Sequence, residues 1–235
     1  MALVRSVGKS TRKTSSHTMR VVWARQYLRG RGIEVGALSR PVPLSTAQVS
    51  YYDRCSEAEL AELYPHCASR LVPLDGIAEL ESLACLDDAT QNFVIACKVL
   101  EYSNNVLAAF QAIYRVLKTG GMAFLTVCDK RKTIDCHRPV STIGQLAADY
   151  VHGPQAVWSI YQEDWASFVE HGPGQDRDAR LQLMVQHAWR TRQHVWTPLA
   201  WMQLLTEVQG GLGFELLAWQ SSGKEIITVL QKQRL

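Results

Sequence analysis

Apolar and polar positions along the first half of the chain fall into short runs, each ending on Gly, Asp or a basic turn. Ile33 and Val35 alternate with charged neighbours and stop at Gly36, which predicts a strand over Gly32 to Val35. Val49 to Tyr52 predicts a second strand ending on Asp53-Arg54, and Leu71 to Leu74 a third ending on Asp75. The apolar runs NFVIAC, Asn92 to Cys97, and MAFLTV, Met122 to Val127, predict a buried fourth and fifth. A short helix over Met19 to Leu28 leads into the first strand. Ser56 and Glu59 have the spacing of a capping box, opening a helix that Pro65 stops. Val106, Ala109, Phe110, Ile113, Val116 and Leu117 share one face of a helix over Asn105 to Leu117, closed by Lys118-Thr119-Gly120-Gly121. Strands and helices alternating at these lengths predict an α/β protein with a mostly parallel, doubly wound sheet.

Beyond Cys128 the pattern turns polar, DKRKTIDCHRP, and then helical around 142–151, 156–170 and 178–190. Pro198 to Val208 predicts one more helix, broken by Gly210-Gly211-Leu212-Gly213. Phe214 to Gln220 and Glu225 to Gln231 alternate well and are joined by Ser221-Ser222-Gly223-Lys224, an antiparallel hairpin closing the sheet. The expected organisation is one domain over 19–235, with a helical cap over about 140–205.

Charge changes the picture at the N-terminus. Residues 1–33 hold eight Lys and Arg and no acid, so the remainder carries 17 basic against 22 acidic residues. The net charge of +3 therefore describes the leader, and the body is expected to be mildly acidic and not to bind nucleic acid. Residues 1–18 lack hydrophobic periodicity and are expected to be disordered and dispensable; they resemble a transit peptide, while Met19 offers an alternative start. No run of eighteen apolar residues exists, so no membrane span is expected. The cysteines at 55, 67, 85, 97, 128 and 136 form no C-x-x-C or zinc-like cluster, which points to a reducing, cytoplasmic setting and no metal.

In an open parallel sheet the ligand lies beyond the carboxyl ends of the strands, which draws attention to Glu34-Val35-Gly36-Ala37. One glycine is not the three-glycine fingerprint of a dinucleotide site, and an ordinary strand-to-turn glycine is the competing account. Three features then fall into one order: EVG after the first strand, YYDR after the second, and NFVIACKVLEY followed by AIYRVLKTGGMAFLTV. That order resembles the class I S-adenosylmethionine-dependent methyltransferases, and EVGALSRP, VCDKRKTIDCHRP and HVWTP resemble a bacterial branch often associated with surface-polysaccharide or glycan biosynthesis. The resemblance spans about residues 20 to 231. It implies a Rossmann-like sheet, S-adenosylmethionine as cofactor, a small-molecule or glycan acceptor methylated on O or N, and glycan-biosynthesis enzymes as partners.

Carried onto matching positions, the resemblance implies that Glu34, Gly36 and Ala37 line the methionyl part of the cofactor and that Asp53 accepts from the ribose hydroxyls. It places Asp75 near the adenine amino group, and Cys97 and Lys98 beside the methyl donor. The relatives' pattern there is close to N-H-V-L-E-H, whereas this chain has Cys97, Lys98 and Tyr102. A neutral imidazole accepts a proton near pH 7; a lysine does so only when desolvated. A catalytically degenerate cofactor-binding or assembly protein is therefore the alternative, and a dinucleotide oxidoreductase on the same sheet a further one.

For the acceptor side the candidates are His194, Asp129 and His137 as base, Arg131 and Arg138 for an anionic group, and Trp196 as an apolar face for a sugar ring. These segments are expected to meet over the pocket. The competing account is structural: Asp135 pairs with Arg138 to pin the loop, and His194 and Trp196 are packed in the core.

Overall fold

The computed structural model describes residues 16–153 and 192–234, together with Ile160, Tyr161, Glu163, Asp164 and Ser167 between them. Seven strands, β1 (Gly30–Val35), β2 (Ala47–Asp53), β3 (Gly76–Ile77), β4 (Gln91–Cys97), β5 (Leu117–Cys128), β6 (Phe214–Ser222) and β7 (Glu225–Lys232), form one sheet in the order β3-β2-β1-β4-β5-β7-β6. All neighbours from β3 to β5 are parallel; β7 is antiparallel to both β5 and β6. β1 and β4 are adjacent, with later strands added outward on either side, so the topological switch lies between them.

Alternation along the central strands assigns the two faces. Phe93, Ile95, Phe124, Ile227 and Val229 form one buried cluster, covered by Ala24 and Leu28 and flanked by Met19, Trp23 and Tyr27 of α1 (Ser16–Tyr27). Val94, Ala96, Ala123, Leu125 and Ile226 face the other way. They pack against α3 (Val106–Val116) and α5 (Pro198–Leu212), whose Trp201 Nε1 donates to Thr228 Oγ1 on β7 at 2.8 Å. The capping box forms on α2 (Glu57–Leu63): Ser56 N donates to Glu59 Oε2 at 2.8 Å, and Glu59 N to Ser56 Oγ at 3.4 Å. Asn105 Oδ1 caps α3 by accepting from Ala108 N.

Three expectations change. The third strand is not Leu71–Leu74, where Pro73 lacks a donor; that segment is a loop whose Val72 N reaches Leu38 O, and the strand is the two residues after Asp75. α5 runs through Gly210 and Gly211 and stops only at Gly213, whose left-handed backbone (φ 72°, ψ 35°) caps it. Of the expected cap, α4 (Ile143–His152) lies beside α3, with Tyr150 hydroxyl donating to Gln111 Oε1, and α5 covers the sheet; neither roofs the strand ends. The expected helices at 156–170 and 178–190 lie outside the described residues, apart from the five named, as does the leader through residue 15.

α1 begins at Ser16, ahead of the expected boundary at Met19. A chain beginning at Met19 keeps every apolar contact of this helix and is expected to melt within a few degrees of the full chain. One beginning at Tyr27 uncovers the β4–β5–β7 face. Losing on the order of 3 kcal/mol of burial should lower its melting temperature by roughly 5 to 10 °C in a thermal scan.

Candidate active site

At the carboxyl ends of β1, β2 and β4 the chain leaves a cavity of about 420 Å³. Its floor is the turn after β1, where Gly36 takes φ 72°, and the turn after β4, where Val99 lies so near that a Cβ on residue 36 would come within 2.7 Å of its Cγ2. Only glycine allows both the backbone angle and this approach. Glu34, Gly36, Ala37, Asp53, Cys97 and Lys98, six of the seven expected cofactor residues, line this cavity. Asp75 does not: it directly precedes β3 and is turned onto β2, its Oδ2 accepting from Tyr51 N at 2.7 Å. The acids beyond β3 that line the cavity are Glu79 and Glu81.

The acids of the floor are held differently. Glu34 is buried, and its carboxylate accepts from Val42 N at 2.9 Å, closing the turn that carries Gly36. Burial pushes its carboxyl up to about 7, against the pull of the Val42 N–H and the Arg20 charge. Asp53, also buried, accepts from Arg54 N at 2.8 Å, and burial again raises its carboxyl. Lys98, at φ 60°, pairs with Glu225 Oε1 of β7 at 2.5 Å, and Arg20 of α1 reaches the same oxygen at 3.4 Å. The ammonium that replaces an imidazole is thus committed to an ion pair and does not serve as a base. Cys97, beside it, has its thiol pushed up to about 12 by burial and is inert as a nucleophile.

None of the expected acceptor residues lines the cavity, and all but His137 are buried or paired elsewhere. Asp129 is fully buried and chelated by Arg131, whose Nε and Nη2 donate to its two oxygens at 2.9 and 2.8 Å; the Arg131 guanidinium holds its carboxyl below the usual range. Arg138 is buried among Asp135, Asp164 and the carbonyls of Arg192 and Gln193. His137 is exposed on the same turn. Trp196 is core, stacked on His194 and edge-on to Trp201. His194 is fully buried against Tyr161 and Trp196, and burial brings its imidazole down to about 3. His194, Asp129, His137, Arg131, Arg138 and Trp196 thus lie apart from the cavity that holds Gly36 and Asp53, contrary to the expectation that they meet over it.

A different wall faces the floor. After α2 a short 3-10 turn, Pro65–Arg70, brings Tyr64, His66 and Arg70 to the cavity, with Tyr64 and His66 edge to face at 6.4 Å. Tyr102 and Ser103, from the turn after β4, and Arg192, from the far side of the chain, complete it. Tyr102 hydroxyl accepts from the Arg192 guanidinium, whose Nη1 also donates to Asp135 Oδ2 at 2.6 Å. In sequence only Tyr102 carried a signal, as a departure from a histidine.

The residues fit an S-adenosylmethionine site on two counts: the Gly36 turn lines the cavity at the switch point, and Asp53 presents a buried carboxylate at the end of β2. Residues 32–125, which run from β1 into β5 and build the floor, match the family model described as a methyltransferase domain. Among solved structures, a SAM-dependent methyltransferase from Thermotoga maritima aligns with TM-score 0.50 and 13% identity over 92% of this chain and 89% of that one. The structure of a complex between the Haloferax volcanii Trm112 methyltransferase activator and a methyltransferase aligns with TM-score 0.52 and 12% identity, over 93% and 90%. No curated protein matches the sequence. The chain has the fold of the class I S-adenosylmethionine-dependent methyltransferases, and residues 32–125 match a methyltransferase domain.

Two titrations follow. Glu34 holds its proton more tightly folded, at about 7, than at the ordinary 4.5, so its contribution to stability is full below pH 4.5 and is lost as pH rises to 7. Removing that dependence in Glu34→Gln should flatten the difference in urea-unfolding free energy between pH 5 and 8 by about 2 to 3 kcal/mol. His194 has the opposite sign: its stability is full above 6.5 and declines as pH falls toward 3. Its ring resonances should not shift between pH 8 and 5 in a histidine NMR titration.

Proposed function

We propose that the protein transfers a methyl group from S-adenosylmethionine to a hydroxyl or amine of a small-molecule or glycan-type acceptor. The observation that carries this reading is that one cavity joins a cofactor floor, Gly36, Asp53 and Val99, to a separate polar and aromatic wall, Tyr64, His66, Tyr102 and Arg192. Gly36 and Ala37 would lie under the methionyl part and Asp53 would accept from the ribose diol. When bound, S-adenosylmethionine supplies a methyl group already activated on a sulfonium, so the chain has to align an acceptor and manage its proton. Tyr64 and Tyr102 offer rings to an acceptor such as a sugar, and Arg70 and Arg192 offer donors to a carboxylate or phosphate on it. His66, the histidine in the described lining, takes the role of base that buried His194 cannot fill. An amine acceptor needs no such base. A glycan-biosynthesis setting and a reducing cytoplasm accord with this reading; all six cysteines are free, and no helix among the described residues is long and apolar enough to cross a membrane.

One observation favours a second reading. Lys98 is held in an ion pair with Glu225, and Tyr102 has its hydroxyl pushed up by burial, so the altered motif offers no imidazole-like base. A cofactor-binding protein without turnover would tolerate that. Incubation with candidate glycan acceptors, following S-adenosylhomocysteine formation, separates the two, and binding of NAD in place of S-adenosylmethionine would sink both.

Asp53→Ala should bind S-adenosylmethionine about ten- to hundredfold more weakly by calorimetry, the loss of roughly 1.5 to 3 kcal/mol for a charge-assisted hydrogen-bond pair, with an unchanged thermal melt. No binding by the unmodified protein at millimolar ligand would refute the enzyme and the cofactor-binding readings together.

A further inference from the structure

We propose that Arg20 of α1, backed by Lys98, forms a carboxylate clamp for the amino-acid end of the cofactor, so that the first helix is part of the binding site. The inference rests on the S-adenosylmethionine reading and adds to it a residue from outside the matched segment 32–125. α1 lies under β4, β5 and β7 on the face opposite α3, and its packing through Ala24 and Leu28 fixes where residue 20 projects. Arg20 reaches the cavity beside Glu34, Gly36, Cys97 and Lys98, the group at the ends of β1 and β4. Asp53 stands at the end of β2, one strand further along the sheet. A cofactor whose diol meets Asp53 therefore extends its other end toward Arg20.

Charge at that end favours an anion. Two cations, Arg20 and Lys98, share one oxygen of a single buried acid, Glu225. The remaining acid of the group, Glu34, is already shifted toward its neutral form and is occupied by Val42 N. Arg20 touches Glu225 only at 3.4 Å and otherwise donates to the Cys97 thiol, which leaves several of its five N–H donors without a partner among the described residues. Its side chain is 12% exposed, enough to meet a ligand in the cavity and too buried for water to compete freely. A planar guanidinium so placed matches a carboxylate in bidentate fashion, and Lys98, 41% exposed, adds a second positive charge at the rim.

The test compares S-adenosylmethionine with its decarboxylated analogue, which keeps the adenosine, the sulfonium and the amine. The unmodified protein should bind S-adenosylmethionine roughly ten- to hundredfold more tightly than the analogue by calorimetry. Arg20→Ala should erase most of that preference by weakening S-adenosylmethionine alone, with the analogue changed less than about threefold; Lys98→Ala should erase a smaller part, and Arg20→Lys should restore some of it. Thermal melts without ligand identify any variant that has lost its fold, and Arg20→Lys, which keeps the Glu225 pair, then carries the comparison. Equal weakening of both ligands in Arg20→Ala, or no preference for the carboxylate in the unmodified protein, would overturn the clamp while leaving the cofactor reading intact. Failure of the unmodified protein to bind either ligand would overturn both.

Discussion

Glu101 is fully buried, and its side chain and peptide carbonyl each hold a different part of the chain. Its Oε1 accepts from Cys128 N at 2.7 Å, which ties the turn after β4 to the end of β5. Its carbonyl accepts from both Gln193 N, at 2.7 Å, and His194 N, at 3.1 Å. Burial raises its carboxyl above the usual range, so this anchor is costly to ionise and gains from every donor it finds. Because residues 193 and 194 are fixed here, Arg192 is delivered to the cavity next to Tyr102, and His194 and Trp196 are carried past it into the core. The far wall of the site therefore depends on a residue whose own side chain never reaches the cavity.

The same constraint explains which parts were legible in the sequence. The floor was, since it is made by strand ends: β1 and β4 follow from alternation and apolar runs, and Gly36, Asp53 and Cys97 are the residues at which those patterns stop. The acceptor side was not. Asp129, Arg138 and His194 are polar residues in a fold with a polar task, and nothing in their spacing separates a group that faces a ligand from one that satisfies a neighbour. Here Arg131 is spent on Asp129, and Arg138 on Asp135 and Asp164. The structural account of Asp135, Arg138 and Trp196 was available from the sequence and is the one the fold adopts. Tyr64, His66 and Arg192 were beyond reach because they meet only through a 3-10 turn and a contact between residues 102 and 192.

β3 shows a local version of the problem. Leu71 to Leu74 has the apolar texture of a strand, yet Pro73 cannot donate and the edge position asks for only two paired residues, Gly76 and Ile77. With the strand at Gly76–Ile77, the acids that reach the cavity are Glu79 and Glu81, beyond it, and not Asp75, which precedes it. A shift of that size leaves the fold class untouched and changes which acids line the cavity.

The exchange of imidazole for Lys98 has a physical reading that the sequence alone did not supply. A lysine as base has to be desolvated and free of anions; this one meets Glu225 across β5 and β7, and Glu225 also receives Arg20 from α1. The position thus joins three elements at the end of the cavity rather than a proton-transfer path. On the proposed reading, proton removal would fall to the opposite wall, where His66 is the histidine among the described lining residues. His66 stands on an exposed 3-10 turn rather than on a strand end.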